Sequence, residues 1–349
     1  MNRIYNITPT DKSAEKAALE RWNSIAKPLG SLGLLETAIE KIAAVQGTEN
    51  VDIHKRTVVV MCADNGVVCE GVTQSDSNIT SVCANAIANG TSNINVLAVT
   101  FGAEVLAVDI GVKSDLNNPE ILDRKIAYGT KNIAEGMAMT TEQAEQAICT
   151  GMDIVRDLKN SGTRIIVTGE MGIGNTTVSS ALSAVLLDLP PCRVTGRGAG
   201  LDSERLKKKI TVIERAISVN KPDKNKPVEL LSKLGGFDVA GMAGLFLGGA
   251  YYHIPVVIDG VISAAAAVLA CKINPLASQY MLPSHVSAEP SGKLLLEGID
   301  LKPIINAEMR LGEGTGGVML LPLLDGALSV YNKAHRFDEI SIERYRELK

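Results

Sequence analysis

Thr57-Val58-Val59-Val60-Met61-Cys62 is an unbroken, largely β-branched run, closed two residues on by Asp64. No other feature constrains the fold as much. A strand without polar alternation must be buried on both faces, as happens in a parallel sheet covered by helices. Similar runs recur at Val105–Val108, Arg164–Thr168 and Pro255–Ile258, closed by Asp109, Glu170 and Asp259. Between them, Ser81–Ala98, Thr141–Asn160, Thr176–Leu187 and Leu206–Ile217 read as helices. Strand and helix in alternation predict βαβ units and an α/β fold with a parallel sheet. Ligands of such sheets bind at the carboxyl edge of the strands. The four acids are therefore expected to border a polar cleft, with about half of them only capping the helices that follow.

The first fifty residues lack this pattern and read as helical. Asp11 or Ser13 can cap a segment running to Ile25, and Leu34–Val45 repeats apolar residues at helical spacing, with Lys27-Pro28-Leu29-Gly30-Ser31-Leu32-Gly33 as a rigid turn between them. At 349 residues the chain can bury a large core, built on Val, Ile, Leu and Ala because aromatics are only 3%. A net charge of −4, with no basic stripe, excludes a nucleic-acid footprint. The six cysteines form no C-x-x-C pair and the four histidines lie far apart, so no metal site is expected and reduced thiols of a cytoplasmic protein fit best. Met1–Trp22 is charged and amphipathic, unlike a signal peptide. The apolar runs at Val256–Cys271 and Val318–Val330 are interrupted by Asp259, Pro322 and Asp325, and neither reaches the length of a membrane span.

Two glycine-rich segments carry candidate chemistry. Gly169-Glu170-Met171-Gly172-Ile173-Gly174-Asn175-Thr176-Thr177 follows a predicted strand and opens a predicted helix, a natural anion site. Its spacing matches neither the dinucleotide fingerprint nor the Walker loop, which favours a mononucleotide phosphate over NAD or ATP, an ordinary strand-to-helix turn being the bland alternative. Arg310-Leu311-Gly312-Glu313-Gly314-Thr315-Gly316-Gly317 sets one acid among glycines. Read alone, Glu313 is as easily a charge at the start of the helix begun by Val318 as a displayed catalytic carboxylate. Gly196-Arg197-Gly198-Ala199-Gly200 is a further flexible loop, followed by Lys207-Lys208-Lys209, of which most must be solvated because three consecutive residues cannot share one helix face. In Ser284-His285-Val286-Ser287-Ala288-Glu289, Ser287 is a plausible phosphate or sugar contact and His285 reads as structural. With neither a G-x-S-x-G elbow nor a metal-ligand cluster, the remaining chemistry is an acid–base carboxylate beside a bound phosphate.

In series, these segments resemble the nicotinate-nucleotide:dimethylbenzimidazole phosphoribosyltransferase family. The matching motifs are Lys27-Pro-Leu-Gly-Ser-Leu-Gly, Ala63-Asp64-Asn65-Gly66-Val67 with Glu70-Gly71-Val72, and Gly169 to Thr177. They continue with Gly196-Arg-Gly-Ala-Gly-Leu, Lys233-Leu-Gly-Gly-Phe-Asp, Asp259-Gly260, Ser284 to Glu289 and Arg310 to Gly316, in the family's order and over nearly the whole chain.

The resemblance implies a Rossmann-like large domain (51–324), a small helical domain from the chain ends (1–50 and 325–349), and a dimer. It implies transfer of the 5-phosphoribosyl group of nicotinate mononucleotide to an aromatic base (a benzimidazole, purine or phenol), with no cofactor and no metal. Glu313 matches the family's catalytic base. Lys209, Ser287 and the Gly174–Thr177 loop match its phosphate contacts, and Glu170, Gly172, Gly174, Asn175 and Thr176 are expected at the phosphate and ribose. Ser75, Asp76, Ile79, Cys83 and Leu311 are expected to line the base pocket. The chain departs from the family there: proline is frequent where Asp76 stands, a larger polar residue where Cys83 stands, and histidine in some members where Asn65 stands. These departures leave the acceptor base open. Some relatives pair with unlike paralogues, so a heterodimer, or a helper subunit without activity of its own, is the alternative.

Overall fold

The computed structural model describes residues 1–345. Six parallel strands form one sheet: β1 (Arg56–Ala63), β2 (Ala103–Gly111), β3 (Leu122–Asp123), β4 (Ile165–Met171), β5 (Val256–Ile258) and β6 (Met281–Pro283). Their order is β3-β2-β1-β4-β5-β6, the doubly wound order in which the topology reverses beside β1. All eight residues of β1 are buried, as its unbroken apolar run requires. In register, Glu170 lies opposite Met61 and Asp109 opposite Cys62, so the acids that close the runs do emerge along one edge.

The helices are α1 (Lys12–Ser24), α2 (Leu34–Gln46), α3 (Asn78–Ala88), α4 (Asn93–Thr100), α5 (Thr141–Asn160), α6 (Asn175–Leu187), α7 (Pro191–Val194), α8 (Ser203–Asn220), α9 (Pro227–Leu234), α10 (Phe237–Tyr252), α11 (Val261–Ile273), α12 (Gly292–Glu297) and α13 (Thr315–Lys333). One face of the sheet packs a core with α5, α6, α10 and α11, and the other with α2, α3, α4 and α13. Helix α1 begins where the sequence indicates, with Asp11 accepting from the backbone N–H groups of Ser13 and Ala14. The rings of Trp22 of α1 and Tyr331 of α13 pack with centroids 4.8 Å apart, tilted at 59°, which joins the two chain ends. No helix among the described residues is long and apolar enough to cross a membrane.

Two sequence expectations need correction, and one helix was not expected at all. The helix expected over Ser81–Ala98 is two helices, broken at Gly90, whose φ of +76° lies in the left-handed region, and restarted by the capping box of Ser92 and Asn95. The helix expected from Val318 starts at Thr315. Helix α10, buried from Phe237 to Ala250, escaped a periodicity reading because apolar residues surround it on all sides and four glycines lower its helix propensity. Those glycines are there for packing: a Cβ on Gly244 or on Gly151 of α5 would collide with the facing backbone.

Candidate active site

The side of the cleft that carries Lys209 is built by β4, the turn after it, and α8. The chain leaves β4 at Met171 and turns at Gly174, whose φ of +94° no L side chain adopts readily, to open α6 toward a cavity. Thr176 stands in the first turn of α6 and receives a 3.0 Å hydrogen bond from the Nζ of Lys209. Of the three consecutive lysines, Lys207 and Lys208 are exposed and Lys209 has no exposed surface. Among the described residues its only other hydrogen-bond acceptor is the Gly196 carbonyl oxygen at 3.3 Å. Burial pulls its pKa down to about 8, an effect the Glu289 carboxylate opposes. A buried ammonium held by two neutral oxygens has every reason to accept an anion. The buried side chain of Ser287 lines the adjoining cavity together with Gly172, Asn175 and Thr176, while exposed Ser75 borders the recess that holds Lys209.

The four strand-end acids divide. Asp109 pairs with Lys125 at 3.0 Å and Asp64 accepts from the Lys113 N–H at 2.8 Å, so both hold loops on the β2 side. Asp259 lines the cavity and also caps α13 across the fold, accepting from the N–H groups of Gly314 (3.2 Å) and Gly317 (2.9 Å). Glu170 lines the same cavity and is 7% exposed. Asn175 donates through Nδ2 to its Oε2, and the Glu313 backbone N–H also points at it. Burial, then the charges of Asp238 and Asp259, raise its pKa well above the carboxylate range. Glu170 therefore serves best as a protonated donor or a strong acceptor toward a hydroxyl.

Glu313 is held on strained backbone. Gly312, Glu313 and Gly314 have φ of +87°, +60° and +91° in succession, a left-handed run in which Glu313 is the one residue with a Cβ. Such a conformation costs about 1 kcal/mol. It brings the loop flat against β4, where a Cβ on Gly169 would lie 2.5 Å from the Glu313 carbonyl oxygen. The side chain points the other way, toward α3 and α4. Its Oε2 is buried, with no hydrogen-bond partner among the described residues. Burial raises its pKa, which the Ile94 N–H at the start of α4 counters and the Asp259 charge reinforces. An unpartnered carboxylate oxygen with a raised pKa is what proton abstraction near neutral pH requires.

Of the residues expected at the base, Cys83 lies near this carboxylate and Leu311 lines the adjoining cavity. The Cys83 thiol pKa is raised by burial and then by the Glu313 charge, and Leu311 is 53% exposed at the cavity mouth. Ile79, on the same helix as Cys83, is exposed. Asp76 turns away: it accepts from the Asn78 N–H at 2.9 Å and borders a separate cavity with Asp64 and Tyr128. Sequence reasoning also missed the juxtaposition of Asn65 and Asp238, which lie beneath Gly172 with one unpartnered oxygen each. Burial pushes the Asp238 pKa up to about 6. Nothing local in the sequence marks such a pair, because residues 65 and 238 meet only after the sheet forms.

The doubly wound strand order, with a glycine-rich strand-to-helix turn and a carboxylate oxygen without a partner among the described residues beside the switch point, is that of an α/β fold with its site at the carboxyl edge of the sheet, and residues 7–342 match the family model described as Phosphoribosyltransferase. A protein of Clostridium acetobutylicum named nicotinate-nucleotide–dimethylbenzimidazole phosphoribosyltransferase is 42% identical over 100% of this chain and 99% of its own length. One of the same name from Acetivibrio thermocellus is 46% identical over 93% of each. The crystal structure of CobT from Thermus thermophilus superposes with a TM-score of 0.90 at 35% identity, covering 95% of this chain and 100% of that one. The chain belongs to the nicotinate-nucleotide–dimethylbenzimidazole phosphoribosyltransferase family, and it is a pentosyl-transferring enzyme.

Proposed function

We propose that this chain transfers the 5-phosphoribosyl group of nicotinate mononucleotide to a lower-ligand base of a cobamide, dimethylbenzimidazole or a variant such as a phenol, releasing nicotinate and an α-ribotide. The observation that carries the reading is that one fold holds both Lys209, buried against neutral oxygens, and Glu313, whose buried Oε2 has no hydrogen-bond partner among the described residues and which follows directly on the cavity-lining Gly312. Lys209, Thr176, Asn175, Gly172, Gly174 and Ser287 hold the phosphate and ribose, with Glu170 facing a ribose hydroxyl. Glu313 takes the proton from the base as its other nitrogen attacks C1′. The pyridinium leaving group departs neutral, so no general acid is needed, and anchoring the ribose by its phosphate supplies orientation. Attack opposite the leaving group inverts the β-nucleotide to the α product.

The same reading makes the enzyme a cytoplasmic dimer. Val82, Val96 and Val99 are 61%, 64% and 81% exposed on α3 and α4, an apolar surface that supports a partner there. Segments 1–50 and 325–349 form its small helical unit, residues 346–349 lying outside those described. The test is purified chain with nicotinate mononucleotide and dimethylbenzimidazole, adenine or phenol. Nicotinate released with an α-linked product supports the reading. Hydrolysis without transfer overturns it, and activity only after a paralogue is added overturns it in favour of a helper subunit.

A further inference from the structure

We propose that Glu289 is a positioning residue of the phosphate site: its carboxylate pins the Gly196–Gly200 loop in the shape that walls that site. This rests on the phosphate reading above. Gly198 donates its backbone N–H to Glu289 Oε1 at 3.0 Å. The Cα of Gly196 lies directly on the same carboxylate, so closely that any Cβ there would fall inside it. Glu289 stays aimed by its own N–H, which donates to Ser287 Oγ at 3.3 Å. The short segment that carries Ser287 into the cavity thus also ties down the loop opposite.

The loop needs such a tie. Gly198 and Gly200 have φ of +52° and +100°, and a segment with three glycines in five residues loses much backbone entropy when fixed. Its outer edge is held by Arg197, which donates to the Leu201 carbonyl at 2.7 Å, and by Gln74, which donates to the Gly200 carbonyl at 2.5 Å. Its inner edge, where Gly198 and Ala199 line the cavity, is held by Glu289 and by the Lys209 contact to the Gly196 carbonyl. Releasing Glu289 frees that carbonyl as well, and with it one of the two oxygens that orient Lys209. The carboxylate charge acts on Lys209 in addition, favouring its protonated form.

The test compares Glu289→Ala and Glu289→Gln with wild type, using calorimetric titration with inorganic phosphate and steady-state KM and kcat for nicotinate mononucleotide. Glu289→Ala should weaken phosphate binding and raise KM by about tenfold, the scale of one charge-assisted hydrogen bond, with kcat changed less than about threefold. Glu289→Gln keeps an acceptor for the Gly198 N–H and should recover most of that loss at pH 7. Because it lacks the charge, its phosphate affinity should start to fall at lower pH than in wild type, which a merely structural role would not produce. Unchanged binding in both variants, tighter binding in Glu289→Ala, or a loss confined to kcat overturns the proposal. If Glu289→Ala does not fold, the pH shift in the isosteric Glu289→Gln decides alone. Wild type that binds phosphate at this site without transferring phosphoribose sinks the function but not Glu289's role. Wild type that binds no phosphate sinks both.

Discussion

On the β4 side of the cleft, Lys209, Asn175 and Glu170 are 0%, 6% and 7% exposed, and each is hydrogen-bonded within the chain. Toward α3, the cavity-lining Leu311 is 53% exposed and Ile79 of α3 is 39% exposed, and both present apolar surface. One wall is finished before any ligand arrives; the other is open. Under the proposed function the first wall always meets the same phosphate, and such a site gains from fixed, desolvated donors, since orientation is then paid once by folding. Under the same proposal, a wall of aliphatic side chains discriminates weakly between flat rings and fits an acceptor that varies. Glu313 sits at the seam, its backbone packed on β4 and its carboxylate facing α3.

The largest effect should come from that seam. Glu313→Gln keeps the side-chain shape but cannot take a proton, so kcat should fall by roughly 10²–10⁴-fold, the range for loss of a general base. Nicotinate mononucleotide should still bind within about threefold, because the phosphate wall is untouched. Turnover close to wild type would show that positioning of the base carries the reaction and would erase the division between the walls.

Next in size is Lys209→Ala, which removes the buried cation of the finished wall and should raise KM for nicotinate mononucleotide by about 10–10²-fold. The same lysine sets a pH signature. Its pKa falls from 10.5 unfolded to about 8 in the folded chain, so between those values the unfolded chain binds more protons and folding stability rises with pH. At about 1.4 kcal/mol per tenfold, the burial cost relieved across that window is about 3 kcal/mol. Phosphate affinity should move the opposite way, falling above about pH 8 as the ammonium is lost. Denaturant titrations of wild type and Lys209→Met from pH 7 to 10 check the first slope, and phosphate titrations check the second. Parallel slopes in both proteins would mean that another group titrates.

The two walls also differed in how far the sequence revealed them. The phosphate wall is local: Gly172 to Thr177 is one strand-to-helix turn, and its donors follow from chain direction and helix start. Even there, the choice of Lys209 among three lysines came from family resemblance, and burial of its whole side chain is what separates it from Lys207 and Lys208. The sheet was legible for the same reason, since β1, β2 and β4 each carry an apolar run closed by an acid; β3 and β6, of two and three residues, are too short to leave a period. The base wall is non-local. It depends on how α3 breaks from α4 at Gly90 and on which way Glu313 leaves a left-handed backbone, and neither is written in residue spacing. Asp76 shows the limit: adjacent in sequence to Ser75, it faces a different cavity.

The smallest and most discriminating change is on the open wall. Cys83 is half-buried beside Glu313, so Cys83→Leu adds about two methylene-sized groups to the space facing the attacking ring. Differences of that size in an apolar slot are worth about 10-fold or more between competing substrates. Dimethylbenzimidazole, the bulkier ring, should lose about tenfold in kcat/KM relative to phenol, while KM for nicotinate mononucleotide stays put. A competition assay with both acceptors in one tube reads that ratio directly, free of errors in enzyme concentration. If the mononucleotide KM rises along with the change in acceptor ratio, the walls are mechanically coupled. The contact to suspect is the 3.1 Å hydrogen bond from the Ile173 N–H to Thr80 Oγ1, which ties α3 to the phosphate turn.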